Sequence, residues 1–456
     1  MQHNSQNLIN NETSDLERFD IGGGSGFRTA TTGQKTGEIN LKLLTSEFAG
    51  TLVVEQQILN SLIRIIDQGN INLAIKVIDT LLALNPISIH LQFLYGTALI
   101  KEGRDVEAIN SFKIVLNQKI NAPQDKAIMN IIYNTHNNMS LIFKKMGLLE
   151  EAKTSLEVAI GLNPQRAEAY NNLGTVLLEM ADISGAQKSY LRAVKLEPSE
   201  ALYYWNMHST CENVSVAKHI LGLCIQKDPL YQQGSLTLAG LEALTGNIKH
   251  FINLRENGWE THPLIQSIEW VLQLPNIPEV HFNRWTLFDS MASRVPKSRP
   301  FYEFGVWMGA SFKYLARHFS KGYGFDTFEG LPEDWGDFAK GSYSAHGRIP
   351  KVINGDFVVG KFTESLSAFF SIQRPVASII NYDADLYSST LTALNHCNAV
   401  TDHETILIFD EFFVNKNWQN DEYLALTEFC QSNDLTYEVL AVSFFTKQMA
   451  CRLVKK

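Results

Sequence analysis

The chain has 456 residues, 45% hydrophobic and 11% aromatic, so it is long enough to form two domains with packed cores. Its formal net charge of -9 provides no basic surface for nucleic acid, which we exclude as a partner. Five cysteines without CxxC spacing argue against a zinc ribbon or a disulfide framework and favour a reducing compartment. No run reaches the roughly 20 apolar residues of a membrane helix, and the N-terminus has no signal-peptide pattern. We therefore expect a cytoplasmic location and no membrane partner.

The first half of the chain contains repeats. Residues 1–48 are polar and glycine-containing, which predicts a flexible tail. Residues 49–260 contain a repeated pattern of small residues. Ala74 and Ala108 are 34 residues apart, Ala152 and Ala186 have the same spacing, and Ala217 follows. This period is typical of tetratricopeptide repeats, in which paired helices stack into a solenoid. An insertion near residues 121–126 delays the third unit.

The repeats indicate a fold more clearly than a function. Such a solenoid can serve as a spacer or a surface for self-association, or it can form a groove that docks a peptide or a substrate. Both alternatives remain open at the level of the sequence. We predict that residues 261–296, which are rich in proline and contain one helical stretch, form a linker and a capping helix.

Residues 297–456 change pattern, because short apolar runs now alternate with amphipathic segments. This alternation predicts an α/β domain of the Rossmann-like kind, with a mostly parallel sheet of seven strands covered by helices. The last two strands are close in sequence and should form an antiparallel hairpin. The overall fold class is thus α + α/β. The predicted strands cover residues 301–305, 323–326, 356–359, 378–383, 405–410, 437–444 and 448–453.

A glycine-containing loop follows the first of these strands. Gly305 and Gly309 allow a sharp turn and a close approach to a ligand, and a helix predicted over residues 311–319 would offer free N–H groups at its start. Glu303 precedes the loop, and Asp326 ends the next strand, where a carboxylate can bind a ribose diol. This arrangement favours S-adenosylmethionine over a dinucleotide. The alternative is a merely tight turn between a strand and a helix.

Carboxylates follow two later strands. Asp383 and Asp385 come after one apolar run, and Asp410 and Glu411 come after the next. Because parallel strands end at one edge of a sheet, these groups should converge and repel one another unless a cation lies among them. Oxygen ligands suit Mg²⁺ or another hard divalent ion. Capping of the following helices, or contact with the amino group of the cofactor, is the alternative.

Five motifs in this half, in the same order, resemble the macrocin O-methyltransferase-like family. They are Glu303-Phe304-Gly305 with Gly309, the segments 324–332, 359–366 and 382–390, and Phe409-Asp410-Glu411. The resemblance implies a class I methyltransferase in which Asp383, Asp410 and Glu411 bind Mg²⁺ and Asp385 is the general base beside Asp383. It also implies a set of residues that line the S-adenosylmethionine pocket. They are Glu303, Gly305, Ser311, Asp326, Phe328, Gly360 and Phe362.

The resemblance further implies methyl transfer to a hydroxyl of a sugar or a glycosylated natural product. Proton removal by Asp385 fits this chemistry, because a sugar hydroxyl is a very weak acid. We expect residues 383–385 to be extended, so that Asp385 shares the side-chain direction of Asp383. Residues 329–350 are long enough to form a lid, within which His346 is either a second base or an exposed loop residue. Tyr387 and Trp418 either face the acceptor or serve in packing. Two alternatives remain: a peptide or carrier-bound substrate held by the repeats, and a noncatalytic scaffold.

Overall fold

The computed structural model describes residues 52–118 and 125–456, so the tail predicted at 1–48 and most of the insertion predicted near 121–126 lie outside the described residues. Contacts within the chain define two compact units. The described part of one unit comprises residues 52–177 and 191–197, and that of the other comprises 178–190 and 198–456. The boundaries predicted near residues 260 and 296 fall inside the second unit. In the described part of the chain, every helix is too short or too polar to cross a membrane.

The repeat region is helical, as its period predicts. The five alanines that define the period have no exposed surface, which is what the tight seams between paired helices require. The helices of this region are α1 (Leu52–Asp67), α2 (Ile71–Leu84), α3 (Ile89–Lys101), α4 (Asp105–Leu116), α5 (Lys126–Lys145), α6 (Leu149–Leu162), α7 (Ala167–Glu179), α8 (Ile183–Leu196), α9 (Ala201–His208), α10 (Val214–Lys227), α11 (Gln232–Leu244) and α12 (Lys249–Leu254).

A small residue allows close helix packing in the first unit. A Cβ on Gly96 of α3 would lie only 2.5 Å from the ring of Phe112 on α4, so any larger residue would force the Phe112 ring or the helix to shift. Phe112 itself is fully buried. The core of this unit continues through apolar side chains of α1 and α2 and reaches Met139 and Ile142 on α5.

The second unit contains one mixed sheet of eight strands, in the order β1-β7-β8-β6-β5-β2-β3-β4. The strands are β1 (Glu279–Val280), β2 (Phe301–Phe304), β3 (Gly322–Asp326), β4 (Gly355–Val359), β5 (Ile379–Tyr382), β6 (Ile406–Phe409), β7 (Leu435–Ser443) and β8 (Gln448–Lys455). The accompanying helices are α13 (Pro263–Leu272), α14 (Arg284–Ser293), α15 (Ala310–Leu315), α16 (Phe362–Phe369), α17 (Tyr387–Cys397) and α18 (Glu422–Ser432).

The sequence-based count of seven strands is wrong, because β1 adds an eighth. β1 has two residues and pairs in parallel with β7, where Glu279 faces Ala441 and Val280 faces Val442. A strand of this length has no periodic apolar pattern, so the sequence gives no sign of it. The other seven strands agree with the predicted ones to within a few residues. β7 and β8 form the expected antiparallel hairpin, and β8 pairs with β6.

The order of the parallel strands defines a switch point. The chain runs from β2 outward through β3 to β4, and then returns to form β5 and β6 on the other side of β2. In such doubly wound sheets, ligands bind beyond the carboxyl ends of the strands at the point where the direction reverses. Here that point lies between β2 and β5, where Phe304 faces Tyr382. Every residue of these two strands is buried, as expected for a sheet covered on both faces.

Gly305 makes the turn at the switch point possible. Its φ is +87°, and a Cβ there would lie 1.7 Å from the carbonyl oxygen of Asp383. Its N–H donates to Phe325 O at 2.9 Å, and the N–H of Asp383 donates to Phe304 O at 2.8 Å. The glycine is therefore required by the backbone of the protein itself, whether or not a ligand is bound.

We expect Gly305→Ala to destabilise the protein strongly. A left-handed alanine costs about 1–2 kcal/mol, and the overlap with Asp383 should add about 1–3 kcal/mol. Gly341→Ala is the matched control, since Gly341 has a φ of +88° and a Cβ added there would meet no atom within 4 Å. Urea unfolding measures both variants. If Gly305→Ala and Gly341→Ala lost equal amounts of unfolding free energy, the close approach of Gly305 to the carbonyl oxygen of Asp383 would not contribute to the effect.

Candidate active site

Asp326 ties the glycine loop to the sheet. Its Oδ2 accepts hydrogen bonds from the backbone N–H groups of Val306 and Trp307, each at 2.7 Å, and its Oδ1 accepts one from Phe328 N at 2.7 Å. Its position in the sequence predicts contact with a ribose diol. In the structure Asp326 holds the loop through these hydrogen bonds. The other lone pairs of its carboxylate oxygens can accept hydrogen bonds from a ligand hydroxyl.

Glu303 is a buried carboxyl beside the same loop. It has no exposed surface, and its Oε1 accepts hydrogen bonds from the hydroxyl of Ser311 and, at 3.2 Å, from Nδ2 of Asn381. Its Oε2 has no hydrogen-bond partner. Burial raises the pKa of Glu303 to about 8, although the two hydrogen bonds oppose this shift. A buried oxygen without a partner is costly unless a ligand donates to it.

The remaining predicted cofactor residues lie at the ends of neighbouring strands. Gly309 caps α15, which covers only Ala310–Leu315 and is shorter than the helix predicted over 311–319. Phe328, which is 1% exposed, packs against Phe357. The N–H of Gly360 donates to Asp326 O at 3.0 Å, and Phe362 begins α16.

Asp383 and Asp410 directly follow the paired ends of β5 and β6. Burial and then the charge of Asp410 raise the pKa of Asp383 well above its usual range. Asp410 is 3% exposed. Its Oδ2 lies 3.3 Å from Nη2 of Arg284, and its Oδ1 accepts a hydrogen bond from Gln448. Burial also raises the pKa of Asp410, with Arg284 acting against this shift.

Glu411 lies in a second set of contacts. Its Oε2 is 2.9 Å from Nζ of Lys447 and accepts a hydrogen bond from Asn415 Nδ2 at 2.6 Å. Its backbone N–H donates to Oε2 of Glu422 at 3.1 Å. Glu422 is fully buried, its Oε1 has no partner, and burial followed by the charge of Asp385 raises its pKa well above its usual range.

Asp385 joins this group by a different geometry from the predicted one. The expectation that residues 383–385 are extended is wrong, because Asp385 has a φ of +59°. The N–H of Leu386 donates to Ala384 O at 2.6 Å and closes a tight turn there. Burial and then the charges of Glu411 and Asp410 raise the pKa of Asp385 to about 8. A carboxyl poised near neutral pH can accept a proton in catalysis.

The predicted metal ligands already have other partners. In residues 52–118 and 125–456, no group of three or more His, Cys, Asp or Glu side chains is arranged to hold a metal ion. Of the three predicted ligands, Asp410 faces a guanidinium and Glu411 an ammonium group. The predicted Mg²⁺ site does not fit this arrangement.

Residues 329–350 lie against the same edge of the sheet. Nε1 of Trp335 donates to Oδ2 of Asp421 at 3.4 Å, and the hydroxyl of Ser388 donates to Oε1 of Glu333 at 2.6 Å. Trp335 stacks on Phe338, with ring centroids 5.6 Å apart. His346 is exposed, in agreement with the alternative to a catalytic role.

Two aromatic residues with open roles have packing contacts. Trp418 is 2% exposed and packs against Trp270 and Tyr423. The hydroxyl of Tyr387 donates to Oε2 of Glu428 at 2.5 Å, which joins α17 to α18. These contacts favour the packing alternative for both residues.

Sequence reasoning missed four residues of the site. Arg284 lies in the region interpreted as a linker, and Lys447 and Gln448 lie at the hairpin that closes the sheet. Glu422 is in α18, and in the sequence it is one acidic residue at the start of a helix. The signal that could have pointed to them is the surplus of acidic groups, which requires cations or protons from elsewhere.

Comparison with known proteins supports the repeat region most directly. A sequence model of the family described as "Psidin, N-terminal TPR repeats region" matches residues 56–219. An uncharacterized protein of Haemophilus influenzae is 28% identical over 114 residues, which are 25% of this chain and 57% of that protein. The chain thus matches little more than half the length of this curated relative.

Solved structures give weaker likenesses. PilF of Pseudomonas aeruginosa is 16% identical, with 46% of this chain and 95% of that chain covered and a TM-score of 0.38. The calicheamicin methyltransferase CalS11 is 17% identical, with 49% and 93% covered and a TM-score of 0.31. Likenesses at this level assign no activity.

The raised pKa of Glu303 leads to a pH prediction for the protein without ligand. In the folded state the Glu303 carboxyl keeps a proton that it releases in the unfolded state. The free energy of unfolding is therefore higher at low pH and falls as the pH rises towards about 8. Between about pH 5 and pH 8, we expect the wild type to lose up to about 1.4 kcal/mol per pH unit more unfolding free energy than Glu303→Gln.

Urea unfolding across this range tests the expectation. Glu438→Gln is the control, because Glu438 is an exposed carboxyl on β7, and it should follow the wild-type profile. Parallel profiles for wild type and Glu303→Gln would show that the Glu303 carboxyl is not held in its neutral form.

Proposed function

We propose that the protein is an S-adenosylmethionine-dependent O-methyltransferase. The observation that carries the proposal is the buried Oε2 of Glu303, which lacks a partner beside a glycine loop at the switch point of a doubly wound sheet. Several carboxyls nearby have raised pKa values, which means that the site is short of positive charge. A ligand that carries both an ammonium and a sulfonium group suits such a site.

In this proposal, each part of the loop region has a task. Glu303 accepts a hydrogen bond from the ligand ammonium, Asp326 holds the loop and offers its remaining lone pairs to ribose hydroxyls, and Phe328, Gly360 and Phe362 border the adenosine. The ligand, when bound, supplies an activated methyl group and leaves as a neutral thioether. The protein's contribution is then to align the acceptor oxygen and exclude water.

Asp385 is the proposed proton acceptor. Its pKa near 8 suits proton uptake from a hydroxyl as the new C–O bond forms. The segment of residues 329–350 covers the acceptor in this proposal, because Trp335 contacts Asp421, whose charge acts on Asp385. Phe338 and Tyr343 in this segment are 43% and 44% exposed and offer ring faces to a sugar. We therefore favour a sugar or glycoside as acceptor, with a protein or peptide partner bound by the repeats.

Calorimetry with S-adenosylmethionine tests the cofactor assignment. We expect the wild type to bind and Glu303→Gln to bind about tenfold more weakly or worse, because a hydrogen bond to a charged group is lost. Glu438→Gln should bind like the wild type. Absence of binding to the wild type would remove the enzymatic proposal and favour a scaffold.

Turnover with methyl-labelled S-adenosylmethionine tests the reaction. Wild type and Asp385→Asn are incubated with a panel of glycosides and with cell lysate, and products are identified by mass spectrometry. We expect label on a glycoside hydroxyl with the wild type, and a loss of at least about 100-fold in rate with Asp385→Asn at unchanged cofactor affinity. Label on a peptide or a carrier-bound compound would instead support substrate docking by the repeats.

A further inference from the structure

The buried end of β6 carries its own counter-ion. Asp410 is 3% exposed, and both of its oxygens are engaged, Oδ2 by Arg284 at 3.3 Å and Oδ1 by the amide of Gln448. A divalent ion binds a carboxylate through the same lone pairs. It would also be brought against a guanidinium group, and like charges at such distances repel.

The local structure holds Arg284 firmly in this position. Arg284 is the first residue of α14, and Asn283 caps this helix by accepting a hydrogen bond from Thr286 N at 3.0 Å. Nδ2 of Asn283 also donates to Ser209 O at 2.9 Å. The next residue, Trp285, is 2% exposed and donates through its indole N–H to Leu178 O. Contacts on both sides therefore fix the base of the arginine side chain.

Several carboxylates share the charge of Arg284. Its side chain is 20% exposed. The carboxylates that act electrostatically on the guanidinium are those of Asp410, Glu179, Asp383 and Glu411. Of the three predicted metal ligands, Asp410 is the one that contacts it.

The third predicted ligand has a separate cation. Lys447 contacts Oε2 of Glu411 at 2.9 Å and donates to Oδ1 of Asn415 at 2.6 Å, while Asn415 Nδ2 donates to the same Glu411 oxygen. Arg284 and Lys447 are far apart in the sequence, since Arg284 precedes β2 and Lys447 lies in the closing hairpin of β7 and β8. Two side chains therefore supply the positive charge that the sequence led us to expect from Mg²⁺.

We infer that Arg284 is the positioning residue that replaces a divalent cation at Asp410, so that the site works without a metal ion. Pairing of β5 with β6 places Asp383 beside Asp410, and Arg284 supplies the positive charge at Asp410 that a metal ion would otherwise provide there. The consequence for catalysis rests on the proposed function. Metal binding does not depend on that function, because it concerns the protein alone.

Binding of Mn²⁺, followed by the loss of its free-ion electron paramagnetic resonance signal, tests the inference without any substrate. Bound Mn²⁺ is measured for each protein with and without the additional substitution Asp410→Asn, at about 100 μM protein and metal. The difference between these two amounts is the Asp410-dependent Mn²⁺ binding. We expect the wild type and Asp410→Asn to bind the same amount of Mn²⁺. Stoichiometric Mn²⁺ binding that Asp410→Asn abolishes would overturn the inference.

Replacement of Arg284 gives the second arm. With Arg284→Met, the carboxyls lose their counter-ion, and we expect Asp410-dependent Mn²⁺ affinity to rise at least about tenfold, whereas Arg284→Lys should remain like the wild type. Circular dichroism shows that each variant is folded; if Arg284→Met is not folded, the wild-type and Arg284→Lys arms decide. No gain in affinity with folded Arg284→Met would contradict replacement of a cation by Arg284.

Cofactor calorimetry on the same samples separates the two proposals. Absence of S-adenosylmethionine binding by the wild type would contradict the proposed function, but the conclusion from Mn²⁺ binding would still hold. Normal cofactor binding together with Asp410-dependent Mn²⁺ binding would overturn only the role of Arg284. If the wild type binds S-adenosylmethionine and shows no Asp410-dependent Mn²⁺ binding, its methyl transfer should also be unaffected by EDTA.

Discussion

Burial of acidic groups with too few cations is the constraint on which this structure depends. Two cationic side chains, Arg284 and Lys447, contact the group directly. The carboxyls at or beside the edge of the sheet are Glu303, Asp383, Asp385, Asp410, Glu411 and Glu422. Taking charged carboxylates out of water is expensive, so such a group must hold protons, bind cations, or both. The raised pKa values of five of these residues express this shortage of positive charge.

The backbone explains why these groups cannot move apart. Strands β2, β3 and β5 end together, and Gly305 packs directly on the carbonyl of Asp383. Asp326 binds three backbone N–H groups of the turns after β2 and β3. The parallel strands, rather than any contact among the acids, thus set the geometry of the site. A cationic ligand would relieve the electrostatic cost without rearrangement of the sheet.

Much of this architecture could be predicted from sequence because its signals are local. Buried runs such as Ile406–Phe409 identify strands, the glycines identify turns, and an acid after a strand identifies the ligand edge. Three features had no local signal. β1 is too short for a pattern, the positive φ of Asp385 depends on the turn around it, and the contact of Arg284 with Asp410 joins residues far apart in sequence. A surplus of like charge predicts that a counter-ion exists, but it cannot say which residue supplies it.

A crystal structure with bound S-adenosylmethionine tests the central claim most directly, namely that a cationic ligand completes this acidic edge. We expect the amino nitrogen of the ligand within about 3 Å of Glu303 Oε2, the buried oxygen that now has no partner. The ligand sulfur should face the carboxyls that follow β5 and β6. A ligand bound away from the switch point, with Glu303 Oε2 still unpartnered, would contradict the account.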